Sequence, residues 1–306
     1  MTVFDGHCDT AVELWRKKER LRENSGQVSL NSAEKLDGYL QFFAFCTAWL
    51  PSADKEGCFR QAYGAFQKEL ALNSGSIRLC TNAEQALQAL REKKTGAFLS
   101  LEGAETIGCD EGKLDEAYEM GVRMIAPVWN TENALSGTCV TGGGLSEKGR
   151  AFCRRAQKLG ILLDVSHLSD RGFWDLCDIA EKPIVASHSN SRAVCAHRRN
   201  LTDEQFLALC QLGGTAGINL YAPFLTEKEA AFDDVYRHID HFLELGGGHT
   251  ALGGDLDGCD TLPEGFCRVE DYGRLEDFLR GRGYSQEVLE DIFNRSLMKV
   301  VKQCII

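Results

Sequence analysis

Short apolar runs alternate with amphipathic stretches along the whole chain. The runs are Val3–Gly6, Phe42–Trp49, Ala97–Leu101, Val122–Val128, Ile161–Ser166, Ile184–Ser187, Thr215–Leu220 and Thr250–Gly254. Near-continuous apolar runs of this length predict parallel strands buried on both faces. Between them the apolar period lengthens to that of a helix. Ala86, Leu87 and Leu90 share one face of 83–93, and Val235, Ile239, Phe242 and Leu243 share one face of 227–245. Thr202-x-x-Gln205 and Thr226-x-x-Glu229 have the form of capping boxes, where a hydroxyl and a returning side chain satisfy the free N–H groups of a helix start. Gly121, Gly160 and Gly213 fall between helical runs and strands, as glycines that end helices do. About eight strand–helix units predict an α/β chain folded as a (β/α)8 TIM barrel, a single domain over 1–306. The competing arrangement, an open doubly wound sheet, usually has a glycine-rich phosphate loop after its first strand. Here that strand runs into Asp5-Gly6-His7-Cys8-Asp9, and Gly142-Gly143-Gly144 follows no strand directly.

Composition narrows the function classes. Hydrophobic residues make up 43% and charged residues 26% of the chain, which excludes disordered and fibrous proteins. With 34 basic against 45 acidic residues the formal charge is −11, so there is no general electrostatic drive toward nucleic acid or an anionic membrane surface. The longest apolar stretch, Leu40–Leu50, is broken by Gln41 and Thr47 and ended by Pro51, short of the ~18 apolar residues of a membrane span. No basic segment followed by an apolar one opens the chain, as a secretory signal would. The thirteen cysteines are scattered, without a CxxC, and several sit in apolar settings such as Phe45-Cys46 and Phe152-Cys153. They read as reduced, buried thiols rather than a disulfide framework or a zinc ribbon, and the expected location is the cytoplasm.

The chemistry-bearing residues gather at one place in the pattern. His7 and Asp9 end the first strand, and Glu102 lies just past the third. His167 ends the fifth strand, His188 the sixth and Asp255 the eighth. In a closed barrel these C-terminal ends converge on one rim, where barrel active sites lie. Taken singly, each has a plain alternative: a satisfied structural histidine, a helix cap for Asp9, a buried ion-pair member for Glu102. Charges at the ends of apolar strands are nevertheless costly unless paired or metal-bound. Imidazoles and carboxylates converging together form a divalent-metal constellation, large enough for two ions with Glu102 as a bridge. His238 and His241 lie on an amphipathic helical stretch and read as solvated or structural. His249 precedes the last strand and belongs to the opposite rim.

The segments Asp5-Gly-His-Cys-Asp9, Leu101-Glu-Gly103, Asp164-Val-Ser-His167, Ala186-Ser-His-Ser-Asn-Ser-Arg-Ala-Val194 with Arg198-Arg-Asn200, and Gly253-Gly-Asp-Leu-Asp-Gly258 resemble, in order, those of the membrane (renal) dipeptidase family of zinc metallopeptidases, in its soluble bacterial form. The resemblance implies a barrel holding two Zn2+ ions, with Mn2+ or Fe2+ as alternatives. It implies that His7 and Asp9 bind the first ion, that His167 and His188 bind the second, and that Glu102 bridges them. Arg199 matches the arginine that receives the substrate carboxylate, and Asp255 the acid that shuttles protons; Asp257 reads as structural. The renal enzymes carry a substrate-contacting histidine at the end of strand four, where this chain has Trp129 or Asn130. The substrate implied is a small dipeptide, L-L or L-D; relatives are often dimers, so a homodimer fits. The loops 130–147 and 221–227 are expected to wall the pocket. Another metal-dependent amidohydrolase, acting on a cyclic amide, is the alternative. Many of those bridge their metals with a lysine at the end of strand four, and none lies in Val122–Asn130. A catalytically dead binding protein would have lost a ligand or Asp255, and all are present.

Overall fold

The computed structural model describes residues 1–305. Its strands are β1 (Thr2–Cys8), β2 (Gly38–Phe45), β3 (Ile77–Leu79), β4 (Thr95–Glu102), β5 (Val122–Ala126), β6 (Leu162–Leu163), β7 (Val185–Ala186), β8 (Thr215–Ile218) and β9 (Thr250–Leu252). Eight of them pair in parallel in the order β6-β5-β4-β2-β1-β9-β8-β7. A single parallel bridge between Asp164 and Val185 joins the two ends of this path. The fold is a (β/α)8 barrel, as the strand–helix alternation predicts.

The ninth strand, β3, escaped the hydrophobic pattern. It pairs only with Thr95–Ala97, before β5 takes over the same edge of β4 from Leu99 onward. Three residues, one of them the polar Arg78, leave no periodicity to read. β2 begins and ends earlier than the apolar run suggests, because Gln41 is buried inside the strand and Trp49 lies out on the rim. β6 and β7 are shorter than expected for a specific reason. The Asp164 carboxylate accepts the backbone N–H groups of Ser166 and Ser187 at 3.0 and 2.9 Å, taking donors that a ladder would have used.

Two apolar layers position the site. Inside the barrel, Phe4, Phe42 and Phe98 stack with ring centroids 5.0–5.7 Å apart. Leu297, Met298, Val300 and Val301 of the helix Ser296–Cys304 belong to the same cluster and close the barrel beneath the rings. Outside it, Phe43, Phe45, Leu99 and Leu101 pack against the flanking helices through residues such as Phe59 and Phe66. The cap of the helix Asp203–Gln211 is the expected Thr202–Gln205 box. The expected Thr226 box is absent: the chain turns through Ala222–Leu225, and the long helix starts only at Phe232, where Asp234 reaches back to the Ala231 N–H. Gly121, Gly160 and Gly213 all adopt positive φ before strands. All thirteen cysteines are free thiols, most of them buried.

Candidate metal centre and its cavity

A β-bulge sets the first ligand. Asp5 pairs with Gln41 but Cys8 with Phe43, so β1 carries one extra residue against β2. With strict alternation, Phe4 and Cys8 would share a face. Instead Cys8 joins the outer layer with Val3, and His7 faces the barrel axis above Phe4; re-aiming a side chain is what a bulge does. β4 needs no such device: Phe98, Ser100 and Glu102 alternate inward while Leu99 and Leu101 point out. Asp9 stands at the start of the helix Thr10–Lys17, yet its side chain makes no capping bond, so the plain reading of Asp9 as a helix cap does not hold.

Glu102 divides the donors into two groups. Its Oε2 lies 3.5 Å from His7 Nε2, which is also 3.5 Å from Asp9 Oδ2 and 3.9 Å from Asp255 Oδ1. Its Oε1 lies 2.8 Å from His167 Nε2 and 3.5 Å from His188 Nε2. All these side chains are held in a burial that disfavours bare charge. Desolvation works against an imidazolium at His7, but Glu102 and Asp9 overcome it and raise its pKa well above 6.5. Burial and the Glu102 charge push Asp9 up to about 7. Burial and the Arg199 guanidinium bring His167 down to about 4. Burial pulls His188 down too, with His7 and Arg199 adding to it. Glu102 and Asp9 thus favour positive charge at His7, the place where a bound cation would supply it.

The residues fit a bound cation on three counts. Among the described residues, both ring nitrogens of His7 are buried without a hydrogen-bond partner. The Nε2 atoms of His167 and His188 face each other at 3.1 Å, and each ring is held by its other nitrogen. Asn130 Oδ1 lies 2.9 Å from His167 Nδ1. Ser187 Oγ lies 2.7 Å from His188 Nδ1 and donates to Asp164 Oδ2 at 2.5 Å. Both Nδ1 atoms are therefore the protonated ones, and both Nε2 lone pairs face the Glu102 side of the site, where a metal would take them, the His167 one in place of its present neighbour Arg199 Nη2. Finally, Gly258 leaves open the space beside two carboxylates: a Cβ there would lie 2.3 Å from Asp9 Oδ2 and 2.5 Å from Asp255 Oδ1. The carboxylate of Asp164 also comes near His7 and His188, but its oxygens are taken by Ser166 and Ser187.

A cavity of about 540 Å³ opens above these groups. Val12, Glu13, Cys46 and Trp49 line it from the β1 and β2 side, and Arg199, Tyr221 and Phe224 from the β7 and β8 side. Of the 130–147 loop only Asn130 reaches the cavity, next to Trp129, whose ring centroid is 6.3 Å from that of His167. Cys259, Asp260 and Trp49 are walls not expected from the sequence, and Asp257, expected to be structural, also borders the cavity. Arg198 is exposed, but Arg199 is buried. Arg199 Nη1 donates to the Ser166 carbonyl, Nη2 lies 3.2 Å from His167 Nε2, and the guanidinium sits 5.4 Å from the centre of the Phe224 ring. Asp257 is held away from the metal donors by Gln27 N–H and Thr10 Oγ1, both at 2.6 Å. His238 is fully buried on its helix, His241 pairs with Asp203, and His249 bonds the Gly214 carbonyl at the opposite rim. Asp5, Asp164, Ser187 and Asn219 were not singled out for roles from sequence; the first three lie within three residues of a candidate ligand.

A family model described as membrane dipeptidase, peptidase family M19, matches residues 1–305. An uncharacterised protein from the pqqA 5′ region of Klebsiella pneumoniae is 33% identical over 256 residues, covering 79% of this chain and 94% of its own. Among solved structures, a metallopeptidase described as dipeptidase AC superposes with a TM-score of 0.92 at 27% identity, covering 100% of this chain and 99% of its own. A metallopeptidase of Rhodobacter sphaeroides, bound to a phosphinate mimic of the dipeptide L-Ala-D-Ala, superposes with a TM-score of 0.91 at 26% identity, covering 99% of each chain.

Proposed function

The chain belongs to the membrane dipeptidase family and is a metallo-dipeptidase; on that premise we propose that it hydrolyses L-L and L-D dipeptides to free amino acids with two zinc ions. The observation that carries this reading is Glu102, with one oxygen turned to His7 and the other to His167. His7 and Asp9 would hold one ion, His167 and His188 the other, with Glu102 shared between them. When bound, such a pair acidifies water and draws electron density from a carbonyl.

The chain's own residues supply the rest. Arg199, buried at the cavity wall, takes the free carboxylate of the dipeptide and so sets the distance from that carboxylate to the reacting carbon. Trp129 and Asn130 bound the substrate beside His167, and Asn130 also keeps the His167 proton on Nδ1. Asp255 faces the His7 side of the centre with Oδ1. It carries the proton that the leaving nitrogen needs: its O–H bond breaks, an N–H bond forms, and the C–N bond breaks with its electron pair remaining on nitrogen. The L-D part of the reading is supported by the Rhodobacter sphaeroides relative and its L-Ala-D-Ala mimic. Thirteen free thiols suit a reducing compartment, and we place the protein in the cytoplasm. Among the described residues no helix is long and apolar enough to cross a membrane.

The test is release of free amino acids from a panel of L-L and L-D dipeptides by the zinc-loaded protein and its Asp255→Asn variant. Turnover of L-L and L-D members that the variant loses supports the reading. No turnover of any dipeptide by protein with two ions bound overturns it in favour of a cyclic-amide substrate.

A further inference from the structure

Asp255 can serve as a proton carrier only if its carboxylate is held in one rotation, and a fully buried amide does the holding. Asn219 follows β8 and is 0% exposed. Its Nδ2 donates to Asp255 Oδ2 at 3.0 Å and to the main-chain carbonyl of the ligand-bearing His188 at 3.3 Å. Its Oδ1 accepts the Tyr221 N–H at 2.7 Å. That last bond fixes the amide orientation, since a flipped side chain would set N–H against N–H. Asn219 is itself fixed: its N–H donates to Asn190 Oδ1 at 2.8 Å, and its carbonyl accepts from Asn190 Nδ2 at 2.9 Å. The Asp255 backbone is pinned as well, with φ at 56° and its N–H donated to the His7 carbonyl at 3.1 Å. What is left free in Asp255 is the rotation of its carboxylate, and Asn219 removes it.

We propose that Asn219 is a positioning residue for the hydrolysis. By engaging Oδ2 as an acceptor it keeps that oxygen unprotonated and presents Oδ1, the oxygen 3.9 Å from His7 Nε2, as the one that bears the proton for the leaving nitrogen. The inference rests on the reading of Asp255 as the proton carrier. It ties the ends of β7, β8 and β9 into one device, because the same amide touches the chain at His188, Tyr221 and Asp255.

The experiment compares wild type, Asp255→Asn, Asn219→Ala and Asn219→Asp, each zinc-loaded, with metal content measured. Asn219→Asp keeps the shape and the acceptor for Tyr221 N–H but sets a second carboxyl group against Asp255, which competes with it for the proton, while Asn219→Ala removes the donor outright. The substrates are one dipeptide and its depsipeptide, in which oxygen replaces the scissile nitrogen. An alkoxide leaves with less need of a proton than an amine does. Both Asn219 variants are expected to keep two ions and KM, to lose about 10–100-fold in kcat on the dipeptide, and to lose clearly less on the ester. Equal losses on both substrates, a change confined to KM, or loss of metal from both variants overturns the proposal, since each describes a residue that only supports the site. A slow Asp255→Asn beside unimpaired Asn219 variants overturns it while leaving the Asp255 reading intact. An Asp255→Asn variant with wild-type kcat overturns both.

Discussion

The absence of a side chain at position 258 is required by the candidate metal centre, and Gly258→Ala measures how strictly. The added Cβ would sit 2.3 Å from Asp9 Oδ2 and 2.5 Å from Asp255 Oδ1, whereas ordinary contacts of a Cβ begin at 3.4 Å. Each carboxylate must therefore retreat by about 1 Å, and metal–ligand distances tolerate only about 0.2 Å. Misplacement on that scale costs roughly 100-fold in rate. Gly258 has no positive φ, so alanine is conformationally acceptable there and by itself would stabilise the fold by about 0.4–1 kcal/mol. The two effects separate cleanly. The variant is expected to keep its thermal midpoint within a few degrees, to bind the ion of the His7–Asp9 group at least about 10-fold more weakly, and to lose about 100-fold in kcat/KM. The assay is metal content after dialysis, zinc titration and dipeptide turnover. Gly64→Ala, where an added Cβ meets nothing within 4 Å, is the control. A Gly258→Ala protein with two tightly held ions and full turnover would refute the assignment of Asp9 and Asp255 to this side of the centre.

Other perturbations read the remaining parts of the site. Asn130→Ala removes the acceptor of His167 Nδ1 and should weaken the ion on the His167–His188 side about 10–100-fold, with the His7 side unchanged in a two-step zinc titration. Arg199→Lys keeps the charge but loses the planar fork; KM for dipeptides should rise about 10-fold or more with kcat little changed, and a dipeptide amide, which offers no carboxylate, should show no such change. His238 bonds Ser191 N–H through Nδ1 and the Leu225 carbonyl through Nε2, and burial brings its pKa down to about 4 from 6.5. The unfolded chain then takes up a proton that the folded chain refuses. The stabilisation is full above pH 6.5 and is lost as pH falls toward 4, by up to about 3 kcal/mol. Urea midpoints at the two ends of that window should fall further for wild type than for His238→Gln; equal falls would show that His238 does not contribute.

The candidate ligands and Asp255 were legible because each is a charged or imidazole side chain at or just past the end of an apolar run, where it is costly unless paired or metal-bound. His7, Asp9, Glu102, His167, His188 and Asp255 stand together on the rim where strand order puts them. What surrounds them was less legible, for physical reasons. The bulge that turns His7 inward depends on the register between β1 and β2, and one strand read alone cannot show it. Asp5, Asp164 and Asn219 work through bonds to residues on other strands, more than twenty positions away in the cases of Asp164 to Ser187 and Asn219 to Asp255. The Thr226 box failed because a Thr-x-x-Glu spacing can also belong to a turn, and burial of Val235, Ile239 and Phe242 decided where the helix began.

Each of the two donor groups is held together by a buried carboxylate outside the proposed ligand set. Asp5 accepts the His7 N–H at 2.9 Å and the Gly254 N–H at 3.1 Å, and takes the Tyr272 hydroxyl on its second oxygen. It thereby locks the end of β1, which carries His7 and Asp9, to the end of β9, which carries Asp255. Asp164 does the same for the other group: it accepts from Ser166 N–H and Ser187 N–H and from both serine hydroxyls, locking the chain before His167 to the chain before His188. Small residues let these ends close, since a Cβ at Gly253 or Gly217 would lie within 1.8 or 2.1 Å of the Ser187 carbonyl. Each clamp satisfies backbone donors that ladder bonds do not reach, and an unpaired buried donor costs about 1–3 kcal/mol. The stability of the barrel's upper rim and the geometry of the metal centre are thus the same set of hydrogen bonds. Glu102 reaches from one clamped half to the other through its two oxygens, and the Asn219 amide joins the halves a second time through the His188 carbonyl and Asp255 Oδ2, so the separation of the two donor groups is set from β4 and from the end of β8 together.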